Sequence, residues 1–374
     1  MCNMADNMIQ LFLSLLRAGL WEQEVRHTGS ETFDFVGVYQ LAKEQAVVGT
    51  VAAGLEHVEN VKVPQDITLA IVGDTLLLEQ RNLAMNFFIG DLYKRLEQEG
   101  IHSLLVKGQG IAQCYERPLW RTCGDVDLML DNENYERAKD YFDRLFKHDG
   151  PEVEYRKHIS YSIYDWEVEL HGSLRGCFLK RVDKVLDDVQ NELFLNKCYR
   201  IWKNGDFEIR LLAITYDVVF VFTHILQHFF IEGVGLRQIC DWCRLIWKYQ
   251  TEIDLQLLES LLKKMQLMTE WKVFASLAVH HLGMPEDSMP FYSPERKWRI
   301  KSDRVLSFII RTGSFGRNRI TNGTFQLPYL VRKIKSLFRH TMDGTRFFLV
   351  FPMDAPKVWW NGLVEGVKTV VKSK

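Results

Sequence analysis

Neither sign of charge predominates in this chain, no hydrophobic run is long enough for a membrane, and no low-complexity tract or fixed-period repeat interrupts it. Each absence removes a class of function. With 47 Lys and Arg against 48 Asp and Glu, the net charge of −1 excludes a protein held to nucleic acid by bulk charge; only a local basic patch remains open. The run Ile9–Leu16 is apolar, but Arg17 and Glu22 close it well short of the roughly 20 residues that a span requires. It also lacks a basic flank and a small-residue cleavage site, so it does not read as a secretory signal. No transmembrane segment and a cytoplasmic location are the expectations. Seven scattered cysteines, an odd number, make no disulfide framework. Cys240 and Cys243 share one face of the amphipathic run Leu236–Trp247 without a second pair at zinc-finger spacing, so they read as small packing residues.

At 374 residues, 47% of them hydrophobic, the chain can form two or three globular domains. The period of its apolar residues divides it into three parts, 1–98, 99–210 and 211–374. In the first, Leu11, Leu13, Leu15, Leu16 and Leu20, and later Leu76 to Leu96, follow a helical recurrence, with one helix expected over Arg81–Gln98 and stopped by Gly100. In the second, short apolar runs at Ser103–Val106 and Val126–Leu130 alternate with helical stretches at Ile111–Tyr115 and Asn134–Phe146. Hairpins are expected from His158–Tyr164 with Trp166–Leu170, and from Cys198–Ile209 around Asn204-Gly205-Asp206. From Leu211 to Leu282 the helical period returns, rich in aromatics. The last fifty residues gain Arg332, Lys333, Lys335 and Arg339, read as a solvated or lipid-facing face in preference to an RNA- or phosphate-binding patch. The fold class is α+β: a small mixed sheet flanked by helical N-terminal and C-terminal parts, the latter with a basic tail.

The chemistry-bearing residues concentrate in the middle third. Asp125 and Asp127, two apart on a strand, emerge on one face while Val126 and Leu128 point to the core. Carboxylates held that close repel unless a cation lies between them, and Mg2+ or Mn2+ suits a site of carboxylates plus substrate phosphate oxygens. A bare Asp-x-Asp is more often a solvated strand edge. Upstream, Leu105-Val-Lys-Gly-Gln-Gly110 leads a strand into a glycine turn and a short helix, an arrangement that favours phosphate, although a plain tight turn has the same glycines. Lys107 and Arg121 add positive charge. Downstream, Glu167, Glu169 and His171 share a strand face; if this strand lies beside Asp125 and Asp127, Glu169 completes a cluster able to hold two metal ions.

Leu105–Ala112, Arg121–Met129 and Val168–His171 together resemble the bacterial nucleotidyltransferase-like family of the DNA polymerase beta superfamily, in order and in spacing. The likeness extends over residues 10–290, with His224-Ile-Leu-Gln-His228 and Gly235–Asp241 similar to the family's helical half. The resemblance implies a small mixed-sheet nucleotidyltransferase core with a nucleoside triphosphate as substrate. It assigns Asp125, Asp127 and Glu169 to metal binding and catalysis, and Lys107, Gly108, Gln109, Arg121 and Gly124 to the nucleotide. One departure stands out: Gln109 occupies the place where the wider superfamily has a phosphate-gripping serine. The acceptor, whether a small molecule, an RNA end or a protein, is not implied.

Two other classes compete. The missing serine suits a nucleotide-binding or interaction protein of the same fold without turnover. Alternatively His224 and His228, one helical turn apart, with Asp241 on the next helix, could bind a transition metal for phosphohydrolase chemistry. That segment lacks a His-Asp pair or a His-Glu-x-x-His run. The plainer expectation is that His171, His224 and His228 are core or cleft-lining residues, while Arg237 and Asp241 read either as a helix-surface ion pair or as part of the cleft wall with Arg237 facing phosphate.

Overall fold

The switch in apolar period near residue 99 coincides with a switch from helices to sheet in the computed structural model, which describes residues 2–26, 33–59, 62–154, 157–231, 233–314 and 347–361. The N-terminal helices are α1 (Cys2–Trp21), α2 (Phe35–Glu44), α3 (Val48–Leu55) and α4 (Gln65–Gln98). Strand β1 (Val25–Arg26) pairs in parallel with β2 (Val58–Glu59), a contact too short to leave a period in the sequence. The helix expected over Arg81–Gln98 is the second half of α4, whose 34 residues reach roughly 50 Å at 1.5 Å per residue. Met85, Ile89, Leu92 and Leu96 are buried, whereas Leu76, Leu77 and Leu83 stay exposed, because a helix this long has only one side covered by its neighbours.

The middle third forms β3 (Leu104–Val106), α5 (Gly108–Ala112), β4 (Asp125–Met129), α6 (Asn132–Leu145), β5 (His158–Ile163), β6 (Trp166–His171), α7 (Lys180–Leu195), β7 (Tyr199–Asn204) and β8 (Phe207–Leu212). Strands β3 to β8 make one mixed sheet in the order β5-β6-β4-β3-β8-β7. Both expected hairpins are present, and the parallel pair β4–β6 sits near its centre. Alternation gives the sheet two faces. Leu105, Val126, Leu128, Tyr161, Val168, Leu170 and Leu211 enter a core shared with α4 and α6. Leu104, Val106 and Met129 enter a larger one on the opposite face. The fold is α+β, as the sequence indicates.

The C-terminal helices are α8 (Ile214–Ile231), α9 (Leu236–Lys248), α10 (Leu255–Met265), α11 (Met268–Leu282) and α12 (Arg296–Thr312). They share the larger core with α1–α3. Its centre is aromatic: the Phe222 ring lies 4.9 Å from Trp271 and 5.3 Å from Trp242, within the range where edge and offset contacts stabilise. Cys240 and Cys243 pack in this core. Arg244 of α9, also buried, donates to the carbonyls of Leu20 and Cys114 and to Glu116, tying the helical half to α1 and to the loop after α5. Among the described helices, α8 alone is long and apolar enough to cross a membrane, and most of it is buried inside the protein. Arg332, Lys333, Lys335 and Arg339 lie outside the described residues.

Glu270 on α11 is buried, close to the ion pair of Arg181 with Asp354. Burial first, then the Asp354 carboxylate, push its pKa up to about 7, against the opposing pull of Arg181 and Lys301. Since the folded protein holds this proton more tightly than the unfolded chain, its contribution is fully present below the unfolded carboxylate range. It is lost as pH rises through 7. Glu270→Gln is therefore expected to gain stability relative to wild type between pH 5 and pH 8, by on the order of 2–3 kcal/mol. Urea unfolding at both pH values measures this, and a pH-independent difference would contradict it.

Candidate functional site

The five residues of β4 place Val126 and Leu128 in the small core and turn Asp125 and Asp127 to the other face. Its parallel register with β6 sets Asp125 beside Glu167 and Asp127 beside Glu169. The strand adjacency on which a three-carboxylate cluster depends is therefore present. Carboxylate oxygens of Asp125, Asp127 and Glu169 lie within 4.8 Å of one another. Asp127 is 2% exposed. The Asp127 charge, then burial, raise the pKa of Asp125, with Lys107 pulling the other way.

Lys107 closes the end of β3 in the left-handed region, at φ 57°. Its Nζ lies 2.6 Å from Asp127 Oδ1. Burial would lower the Lys107 pKa, but Asp127, Asp125 and Glu169 outweigh it and raise it. Gly108 follows at φ 41°, and a Cβ there would stand 3.4 Å from the Asp125 carbonyl, so the turn needs glycine for its backbone conformation. His171 Nε2 is 2.8 Å from Asp127 Oδ1 and 3.2 Å from Glu169 Oε2. Burial opposes its protonation, yet these hydrogen bonds raise its pKa. Glu169 is held well below the usual carboxylate range: burial would raise it, but hydrogen bonds from His158 and His171 and the charges of His171 and Lys107 prevail.

The opposite wall comes from α8 and α9. Between the walls lies a cavity of about 310 Å³, lined by Lys107, Gly108, Arg121, the three carboxylates, His171, His224, His228, Arg237 and Asp241 among others. That volume is in the range of small-molecule sites. His224 and His228 lie one turn apart with their rings edge to face, their Nε2 atoms 2.9 Å apart. Burial, then Lys107, His228 and His171, lower the His224 pKa well below its ordinary value and keep it neutral.

Several expected placements are corrected. Asp241 does not form a surface pair with Arg237: it is buried, and Arg121 grips it through Nε at 2.9 Å and Nη2 at 2.6 Å while the Tyr115 hydroxyl donates to Oδ1. Its carboxylate is thereby spent, and among the described residues His224, His228 and Asp241 do not gather as a metal-ligand group. Arg237 instead donates to the Thr122 carbonyl. Gln109 and Gly124 do not line the cavity. The Gln109 side chain is buried against α4, donating to Asn82, and Asn82 in turn donates to the carbonyls of Leu119 and Arg121. Gln109 thus braces the segment that carries Arg121. Arg121 keeps one free donor: its Nη1 has no partner among the described residues, nor has Arg237 Nε.

Sequence reasoning missed His158, Ser173, Gln227, Gln238 and Phe220, all of which line the cavity. For His158 a signal existed. The hairpin closes through the two-residue loop Tyr164-Asp165, with Tyr164 at φ 55°, and counting back from it pairs His158 with His171. The α8 and α9 residues carried no comparable signal.

A family model described as an uncharacterised nucleotidyltransferase matches residues 31–283. No curated protein and no solved structure matches the chain.

The Arg121–Asp241 pair is the most enclosed charge pair lining the cavity, with side chains 4% and 5% exposed. Removing one partner strands the other, so Asp241→Ala is expected to cost roughly 3–5 kcal/mol in denaturant unfolding. The double variant Arg121→Met/Asp241→Leu should recover most of that loss. A single-variant cost below about 1 kcal/mol, the level of an exposed pair, would show that the pair is not enclosed.

Proposed function

This chain belongs to the uncharacterised nucleotidyltransferase family, and from that membership we propose that it transfers a nucleotidyl group from a nucleoside triphosphate to a hydroxyl acceptor, with Mg2+ or Mn2+ held by Asp125, Asp127 and Glu169. The observation that carries the metal assignment is the convergence of three carboxylates within 4.8 Å on a face closed by helices. Lys107 supplies only one full positive charge against them. An all-oxygen ligand set of this kind fits a hard divalent ion better than a transition metal. When bound, the ion supplies charge neutralisation at the triphosphate and lowers the barrier to deprotonating the acceptor.

The remaining work falls to the chain's own groups. The Gly108 turn lies against the backbone carbonyl of Asp125, where it can approach a phosphate without a side chain in the way. Arg121 and Arg237 both line the cavity, and their guanidinium groups are suited to phosphate oxygens. Lys107, which rests on Asp127, adds a further positive charge near them. The acceptor oxygen forms a bond to the α-phosphorus as the bond to the departing pyrophosphate breaks. The acceptor proton leaves to solvent, because Glu169, held well below the usual carboxylate range, is a weak base. His224 and His228 wall the cavity on the opposite side. The acceptor is a small molecule, an RNA end or a protein hydroxyl.

Labelled nucleoside triphosphates, Mg2+ or Mn2+ and a panel of acceptors test this reading, with pyrophosphate release as the readout. Asp125→Asn/Asp127→Asn is expected to lower the rate by at least about 10²-fold, the scale of losing a principal electrostatic stabiliser. Release that survives the double substitution would remove the Asp pair from the mechanism. The second reading, a binding protein without turnover, is favoured by Gln109 standing where a serine is expected and facing α4. Metal-dependent nucleotide binding without pyrophosphate release for any acceptor would establish that reading instead.

A further inference from the structure

Glu169 belongs to two clusters. One is the carboxylate set with Asp125 and Asp127; the other joins it to His158 and His171, whose ligating atoms also lie within 4.8 Å of one another. Both imidazoles address the same carboxylate oxygen: His158 Nε2 is 3.1 Å and His171 Nε2 is 3.2 Å from Glu169 Oε2. The rings are not stacked flat against each other. Their centroids are 4.8 Å apart and their planes inclined at 46°, so both nitrogens converge on one point. The set is built on rigid elements. His158 and His171 are a directly opposed pair across the β5–β6 hairpin, and Glu169 sits two residues before His171 on the same face. All three line the cavity and are about a fifth exposed, which leaves a path for an ion to enter.

We propose that His158, Glu169 and His171 form a second divalent-cation site, selective for a transition metal of the Zn2+, Co2+ or Fe2+ class, next to the oxygen-only site and sharing Glu169 with it. Two imidazoles and one carboxylate suit such ions and leave coordination positions open, whereas Mg2+ takes oxygen ligands. Asp127 does not lose its charge partner when His171 turns its Nε2 to a cation, since Lys107 remains 2.6 Å away. The hairpin set also replaces the His224, His228 and Asp241 set that the sequence suggested, because Asp241 is bound to Arg121 and Tyr115. The proposal rests on the nucleotidyltransferase reading only through the shared Glu169, and it can fail or hold independently of it.

The test is a Co2+ titration of the full chain, carrying no polyhistidine tag, followed by visible absorption and calorimetry, with Mg2+ titrated separately. Wild type is expected to bind one Co2+ more tightly than Mg2+, and its proton spectrum should show two shifted imidazole N–H signals. His158→Ala should weaken Co2+ at least about tenfold, the lower bound for losing even an outer partner of a metal ligand, and by more than it weakens Mg2+. Asp125→Asn/Asp127→Asn should abolish Mg2+-dependent pyrophosphate release but retain the Co2+ site. Equal Co2+ affinity in wild type and a natively folded His158→Ala would overturn the proposal. So would a wild-type Co2+ complex without two imidazole signals, a readout that needs no variant to fold. Co2+ binding lost in the Asp double variant and kept in His158→Ala would assign the ion to the carboxylate site and equally refute the hairpin site.

Discussion

Asp125, Asp127 and Glu169 hold their carboxylate oxygens within 4.8 Å of one another on a face that helices largely close to water. Three negative charges at that separation repel strongly wherever the local dielectric is low. The surrounding residues answer that repulsion. Lys107 lies on Asp127, His171 bridges Asp127 and Glu169, and His158 caps Glu169 from the neighbouring strand. The raised pKa of Asp125, driven first by Asp127, shows that this compensation is incomplete. A cluster of three carboxylates this close is disposed to accept cations, on strands whose register allows little adjustment.

The helical parts supply the other half of the site, and polar contacts bind them to the sheet. Asn82 on α4, itself held by Gln109 on α5, grips the segment from Leu119 to Arg121 by its carbonyls. Arg121 then crosses to Asp241 on α9, and Arg237 on the same helix reaches back to Thr122. Through these links the N-terminal helices, the sheet and the C-terminal helices each fix part of one cavity wall. The bidentate Arg121–Asp241 pair has a consequence for chemistry as well as packing. It orients a guanidinium whose remaining Nη1 has no protein partner among the described residues, the condition under which a buried donor favours an anionic ligand.

Much of the fold was legible in the sequence because period is local. Helical recurrence marked α4, α6 and α8–α11, and alternation marked both hairpins. Where period was short or one-sided, reading failed: the β1–β2 pair has two residues per strand, and the exposed Leu76 and Leu77 continue an apolar pattern that no neighbour covers. The Asp125, Asp127 and Glu169 set was legible for the same local reason, since i,i+2 spacing puts side chains on one face. Gln109 shows the limit. Its position in the motif suggested a nucleotide contact, but its direction depends on Asn82 of α4, 27 residues upstream and beyond the reach of a local pattern.

By itself the amino-acid sequence determined which residues share a face, which segments are helix or strand, and which stretch resembles a nucleotidyltransferase. Those are properties of neighbours within a few residues. Tertiary structure alone decided that β4 lies parallel to β6, bringing Asp127 beside Glu169, and that Asp241 spends its carboxylate on Arg121 and not on a metal with His224 and His228. It also put His158 and His171 on one oxygen of Glu169. Strand order and helix docking are set by burying two apolar faces of one sheet at once, a condition on the whole chain that no local pattern states.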